Sequence, residues 1–171
     1  MIVENAVCLS IVSHGHSAHL ERLFESMNRF NIRVASVKVR CNIPEDLSAI
    51  TALVPENTDF SVNTCMQGFG KNHNQSLEGV SSDFLLIVNP DVTFTSNPLD
   101  RLLTYMHENP NVGLIAPKVF NSDGLVEDNV RKFPSIFTIL KKALGVGNGG
   151  TIHHHEGFFD VPWVAGMFML I

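Results

Sequence analysis

Residues 83–94 read DFLLIVNPDVTF. Phe84, Leu85, Leu86, Ile87 and Val88 are continuously apolar, the pattern of a central strand buried on both faces of a parallel sheet; a half-exposed strand would alternate. The chain turns polar at Asn89. Pro90 fixes one backbone angle and so presents the Asp91 carboxylate in a defined direction. The carboxyl end of a central strand is where open α/β sheets bind ligands, so the question is what Asp91 faces.

Outward from this stretch, strand-like and helical segments alternate, the signature of βαβ units. Residues 6–12 (AVCLSIV) read as a first strand. Residues 17–30 place Leu20, Leu23, Phe24 and Met27 at helical spacing, an amphipathic helix that covers it. The pattern then predicts a strand over 32–39, a short helix over 44–54 opened by Pro44 and acids, a strand over 59–64 and a helix over 71–81 entered from glycines. After Asp91, Asn97-Pro98 is an N-cap followed by a first-turn proline, starting a helix that ends near Asn109-Pro110. Beyond it, residues 112–120 and 125–133 read as a hairpin across Asp123-Gly124. Residues 134–147 read as a helix, 148–157 as a loop and 161–171 as one final apolar strand. The expected fold is α/β: a three-layer α/β/α sandwich with a mostly parallel central sheet. It forms one domain over 1–171, with 1–94 as a ligand-binding half and 95–171 as the start of a second half.

Composition excludes several functions. With 44% hydrophobic and 17% charged residues in 171, the chain has the balance of an ordinary globular domain. A net charge of −5 argues against nucleic-acid binding, which needs a positive face. Cys8, Cys41 and Cys65 are odd in number and lack a C-x-x-C pair, so they are expected reduced, in a cytosolic setting. No run of about 18 apolar residues predicts a membrane span. Peripheral attachment stays open, since Phe133, Ile136, Phe137 and Leu140 with Lys141 and Lys142 suit either a core or a membrane surface. The groups His14, His16, His19 and His153 to His155 lack the cysteine or acidic complement of a zinc site.

The ends of strands one to four carry SHGH (13–16), RCN (40–42), QGFGKNHN (67–74) and NPD (89–91), all expected on one edge of the sheet. Gly68 and Gly70 would let backbone approach a ligand closely, and the helix N-terminus that follows offers N–H groups to an anion beside Lys71. One carboxylate cannot hold Mg²⁺ or Mn²⁺ alone, but such cations are commonly held by one or two carboxylates together with ligand phosphates and waters. Asp91 therefore suits a nucleotide diphosphate. A turn aspartate capping its own backbone and a plain glycine turn are the structural alternatives.

Taken together, IVSHGH, GFGKNHN, LLIVNPDV, VRKFP and VPWVAGMFML, in this order and spacing, resemble the family 2 glycosyltransferases with a GT-A (Rossmann-like) fold. The likeness is strongest to rhamnosyltransferase-like members of bacterial O-antigen synthesis. The resemblance implies an inverting transfer of a sugar from a dTDP- or UDP-linked donor, with dTDP-rhamnose a candidate, to a saccharide or lipid-linked acceptor. It implies that Asp91, with Asn89 in the first slot of the motif, binds Mg²⁺ or Mn²⁺. It assigns Gly68, Gly70 and Asn74 to the donor pocket and Trp163, Ala165 and Gly166 to the acceptor side. Ser13, His14, Cys41, Asn42 and Lys71 complete the expected donor-binding set at the strand ends.

The chain departs from the family pattern twice. Cys41-Asn42 stands where an Asp-Asn pair usually closes the second strand, removing a carboxylate near the base or ribose. The acidic segment that supplies the general base would follow Ile171, so the resemblance implies a C-terminally truncated chain with its catalytic base unassigned. The alternative function is a nucleotide-binding remnant or interaction module unable to complete transfer. An unpaired final strand would favour association with a partner or another copy.

Overall fold

The computed structural model describes residues 7–127, 129–133, 144–145 and 157–171. The chain divides into two compact units, one of Met1–Pro117 with Met167–Ile171 and one of Lys118–Gly166.

In the first unit a five-stranded sheet is built from β1 (Val7–Ser13), β2 (Ser36–Cys41), β3 (Thr58–Val62), β4 (Phe84–Val88) and β7 (Phe168–Leu170), in the order β3-β2-β1-β4-β7. The first four run parallel, and β7 is antiparallel to β4, with Leu86 opposite Leu170 and Val88 opposite Phe168. Strand order reverses between β1 and β4, which makes that point of the edge the topological switch.

Side-chain alternation gives the sheet two unlike faces. Val7, Leu9 and Ile11 of β1, Val37 and Val39 of β2, and Leu86 and Val88 of β4 share one face. They pack with Leu20, Leu23, Phe24 and Met27 of α1 (Ser17–Arg29) and with Leu99, Leu102, Leu103 and Met106 of α3 (Leu99–Glu108). Full burial of each such side chain stabilises by about 1.5–3 kcal/mol. Ser26 joins the two elements differently: its buried hydroxyl accepts from the Phe94 N–H at 3.0 Å. The other face carries Ser10, Lys38 and Arg40 and is covered by α2 (Phe69–Ser76), giving the third layer. Helix α3 starts one residue later than expected, with Pro98 as its N-cap, and Asn97 Oδ1 ahead of it accepts from the Leu99 N–H at 3.0 Å.

Several expected elements differ. Strand β2 starts at Ser36, because Ile32 and Val34 are buried in the connection that leads to it. The helix expected over 44–54 is a single 3-10 turn, Ser48–Ile50, followed by turn residues. Pro44 and Pro55 bracket the segment and β-branched Ile50, Thr51 and Val54 weaken it, leaving too little length to propagate a helix. Helix α2 begins two residues earlier than expected and ends at Ser76, ahead of Gly79, whose φ of +74° takes the chain out of helical space.

The final apolar run is not one strand. It breaks at the Gly166-Met167 turn into β6 (Trp163–Val164) and β7, which belong to different sheets. Ile115 does not enter a hairpin; it exchanges two backbone bonds with Leu170, 2.8 and 2.9 Å, on the outer side of β7.

In the second unit the hairpin is short. Phe120 bridges Val126, and Asn121 closes the loop by accepting at Oδ1 from Asp123 and Leu125 N–H groups, both at 3.0 Å. Gly124 adopts φ +76°, a conformation that favours glycine. Strand β5 (Val130–Arg131) pairs antiparallel with β6, and the Arg131 guanidinium lies 5.7 Å from the centre of the Trp163 ring. The helix and loop expected over 134–157 lie outside the described residues, apart from a turn at Leu144-Gly145 and from Gly157.

Candidate functional site

Because β1 to β4 are parallel, their carboxyl ends share one edge of the first unit. There the ladders continue one step past the strands: Asn42 N–H donates to Ser13 C=O at 2.7 Å, and Asn63 N–H to Cys41 C=O at 2.9 Å. The next side chains form a continuous polar network. Asn42 Oδ1 accepts from Asn63 Nδ2 at 2.9 Å and from Gln67 N–H at 2.8 Å. Its Nδ2 donates to Gln67 C=O at 3.0 Å and lies 3.2 Å from His14 Nδ1. All four hydrogen-bonding positions of the Asn42 amide are thereby used within the protein.

Asn63 extends the network to Asn72 Oδ1 at 2.6 Å and accepts from Arg40 at 3.0 Å, while Arg40 also donates to Ser76 at 3.0 Å. Asn72, buried on α2, donates back to the Gln67 and Gly68 carbonyls at 3.1 and 3.2 Å. The ends of β2 and β3 are thus tied to the entry of α2. Sequence reading missed Asn63 and gave no individual role to Arg40, Gln67 and Asn72 within the RCN and QGFGKNHN stretches, since asparagines after strands read as turn formers. The available signal was their recurrence at one edge of a parallel sheet.

The entry to α2 is open. Gly68 is its N-cap, and Asn72 N–H to Gly68 C=O at 3.0 Å is the first helical bond, so the amides of Phe69, Gly70 and Lys71 precede it. A Cβ built on Gly68 or Gly70 would meet nothing within 4 Å, and neither glycine has positive φ. Steric need inside the fold does not explain either glycine. Lys71 and Asn74 are exposed on α2. Behind this entry His73 is buried, its Nδ1 lying 2.8 Å from Ser10 Oγ and its ring edge-on to Phe69 at 4.5 Å. Burial pushes His73 down to about 4.

On the far side of β1, Asn89 to Val92 form a turn closed by Val92 N–H to Asn89 C=O at 3.2 Å, with Pro90 buried and Asp91 exposed. Asn89 N–H donates to Met167 C=O at 2.9 Å, which fixes the start of the turn. Among the described residues the ion pair formed is Lys38 with Asp59, so the Asp91 carboxylate is unpaired. Among those residues no group of three or more His, Cys, Asp or Glu side chains gathers as a metal site. A lone carboxylate does not cage a divalent cation by itself; such ions are commonly shared with a ligand's phosphates and waters.

Ser13 is buried at the end of β1 and its Oγ accepts from His16 N–H at 3.2 Å. His14 is exposed, and Cys41 is fully buried. Burial, then the Glu45 carboxylate beside it, pushes the Cys41 thiol up to about 12. Trp163, Ala165 and Gly166 belong to the second unit.

No family model matches the chain. Rhamnosyltransferase WbbL of Escherichia coli (strain K12) is 29% identical over 96% of this chain. An N-acetylglucosaminyl-diphospho-decaprenol L-rhamnosyltransferase of Mycobacterium tuberculosis (strain CDC 1551 / Oshkosh) is 26% identical over 73% of it. The chain spans 66% of the length of the first relative and 45% of the second. In three dimensions it matches the mannosyltransferase PcManGT from Pyrobaculum calidifontis, solved in complex with GDP-Man and Mn²⁺. The TM-score is 0.59 at 15% identity, covering 70% of this chain and 37% of that one. The chain has a GT-A-like glycosyltransferase fold. The parallel sheet and its mixed edge strand β7 are those of this fold. No helix among the described residues of the GT-A-like chain is long and apolar enough to cross a membrane.

Proposed function

We propose that the GT-A-like chain is the donor-binding part of an inverting glycosyltransferase that uses a nucleotide-diphosphate sugar, rhamnose among the candidate sugars, and a saccharide or lipid-linked acceptor of bacterial surface polysaccharide synthesis. The observation that carries this reading is the carboxyl edge of the sheet. An open, glycine-lined helix entry lies on one side of β1, and an exposed, unpaired carboxylate on a proline-fixed turn lies on the other. The two rhamnosyltransferase relatives support the sugar and, through the second, a lipid-linked acceptor, which would bring the chain to the cytoplasmic face of a membrane.

In this reading the α2 entry amides and Lys71 receive the donor, and Asn42 is a positioning residue that holds the Gln67-Gly68 backbone. Asp91 would hold Mg²⁺ or Mn²⁺, which supplies positive charge against the departing diphosphate. Trp163, Ala165 and Gly166 are assigned to the acceptor side. Inverting transfer also needs a base at the acceptor hydroxyl, and no residue of this chain is assigned that role.

The test is calorimetric titration of dTDP, UDP and GDP, with and without Mn²⁺, on the chain and on Asp91→Asn. Nucleotide binding that tightens with Mn²⁺ only when Asp91 is present supports the reading. Equal affinity in every arm removes the metal role, and no binding of any nucleotide leaves the interaction module.

A further inference from the structure

We infer that the outer edge of β3 is a pairing surface for a second copy of the chain, the two β3 strands running antiparallel about a two-fold axis so that both sheets become one. This goes beyond the nucleotide reading above and does not depend on it.

The two ends of the five-stranded sheet are unlike. At one end β7 pairs with β4 on its inner side, and on its outer side Leu170 exchanges two backbone bonds with Ile115. At the other end β3 has β2 on one side and no strand on the other among the described residues. Val37 N–H donates to Asn57 C=O at 3.0 Å and Asn63 N–H to Cys41 C=O at 2.9 Å, so Asn57, Asp59, Ser61 and Asn63 turn their backbone groups toward β2. Thr58, Phe60 and Val62 alternate with them and turn theirs outward. Thr58 N–H is taken by Pro55 C=O at 3.1 Å, in the turn that enters the strand. The outer edge therefore offers the N–H groups of Phe60 and Val62 and the carbonyls of all three residues to an incoming strand.

Exposed edges are commonly protected by lysine, by proline or by an unpaired charge. Strand β3 has neither lysine nor proline, and its acid, Asp59, is paired with Lys38 of the neighbouring strand. Register with Val37, Val39 and Cys41 puts Thr58, Phe60 and Val62 on the α1 face, where Phe60 is 42% exposed and Val62 55%. The strand is complementary to itself. Antiparallel pairing centred on Phe60 sets the two Phe60 side chains opposite each other, each Val62 opposite a Thr58 and each Asp59 opposite a Ser61. Each Phe60 N–H then donates to the other Phe60 C=O, and each Val62 N–H to a Thr58 C=O, four bonds in all. A register centred on Asp59 would set two acids opposite each other and call on the committed Thr58 N–H. A strand of unrelated sequence would meet the same backbone groups without the matched side chains, which favours a second copy in an isologous contact.

The test is sedimentation velocity of the 171-residue chain over a concentration series, beside Val62→Pro and Phe60→Lys, with hydrogen exchange of the β3 amides at the same concentrations. The wild type should pass from monomer to dimer as concentration rises. Its Phe60 and Val62 amides should gain protection with dimer, while those of Asp59 and Ser61, already bonded to β2, stay unchanged. Val62→Pro removes an N–H that β2 does not use, so the ladder survives while two of the four cross-bonds go, and dimerisation should weaken at least about tenfold. Phe60→Lys sets two like charges at the centre and should leave monomer throughout. Circular dichroism of both variants, matching the dilute wild type, separates lost pairing from lost folding. A wild-type chain that stays monomeric up to about 1 mM overturns the inference and leaves this edge to a strand of another protein. A dimer that both variants retain, or one that forms without protecting Phe60 and Val62, overturns it by placing the interface elsewhere.

Discussion

On one face of the sheet β1 presents Val7, Leu9 and Ile11 to α1 and α3; on the other it presents Cys8 and Ser10, with Ser10 meeting a buried histidine of α2. The first face is packed chiefly with buried apolar side chains. The second is held by specific polar bonds, Ser10 with His73, Arg40 with Ser76 and Asn63, and Asn63 with Asn72. Apolar burial is non-directional and can define a layer without aiming any one residue. Directional bonds on the α2 side can hold the Gln67–Gly70 backbone at a set place on the edge. The difference separates residues that make the fold from residues that aim the site.

That division predicts effects of graded size. The largest belongs to the apolar face. Phe24 is fully buried between α1 and the sheet, and Phe24→Ala removes its burial and leaves a cavity, at a cost of about 3–5 kcal/mol. Urea denaturation followed by circular dichroism should show a much lower midpoint, or a chain unfolded in buffer. A loss below about 1 kcal/mol would mean that this face collapses around the gap.

Next comes His73 on the polar face. Burial holds its folded pKa at about 4, against an ordinary value of 6.5. Between those values the unfolded chain binds the proton and the folded chain does not, so stability should fall as pH drops from about 6.5 toward 4, by about 3 kcal/mol in total. Denaturation midpoints at pH 7, 6 and 5 check this. His73→Gln should flatten that slope, and an unchanged slope would place the titration elsewhere.

How far the chain could be read in advance follows the same division. The fully apolar β4, β1 and the amphipathic α1 were legible because burial on a known face imposes periodicity on the sequence. The carboxyl-edge gathering was legible through βαβ alternation alone. The 44–54 segment was misread because its acids and Pro44 look like a helix start, whereas Glu45 turns inward toward Gly15 and Cys41. The run ending at Ile171 was misread as one strand because apolar continuity carries no mark of the turn at Gly166-Met167. Asn42, Asn63 and Asn72 were invisible as a network because the bonds that join them to one another, and Asn42 to His14 and Gln67, span 9 to 28 residues. No local pattern encodes such pairings.

A smaller effect is expected at Asn42. Asn42→Ala deprives the partly shielded Gln67 N–H of its partner and leaves Gln67 C=O with Asn72 alone, and should cost about 1–3 kcal/mol. It should also weaken nucleotide binding by freeing the glycine segment. Hydrogen exchange at the Gln67 to Gly70 amides checks this directly: faster exchange there, with β1 and β4 unchanged, is the expected pattern. Uniform protection loss would mean that Asn42 supports the whole sheet.

The smallest effect on stability is expected at Asp91. It is exposed, accepts no ion pair among the described residues, and sits on a turn whose shape is set by Pro90 and by the Asn89 to Val92 bond. Asp91→Asn should shift the denaturation midpoint by no more than about 0.5 kcal/mol, as for a surface change that breaks no packing. A residue that contributes nothing to folding yet is held on a rigid turn at the ligand edge is available for a ligand. Set beside Asn42, whose amide is fully engaged, it makes the sharpest form of the comparison: one polar residue is satisfied by the protein, the other is left for something else. Loss of Mn²⁺-dependent nucleotide binding with stability intact would bear this out. A destabilisation of 1 kcal/mol or more would show instead that the carboxylate caps its own turn, with the chain's polar face and its ligand edge serving the same structural end.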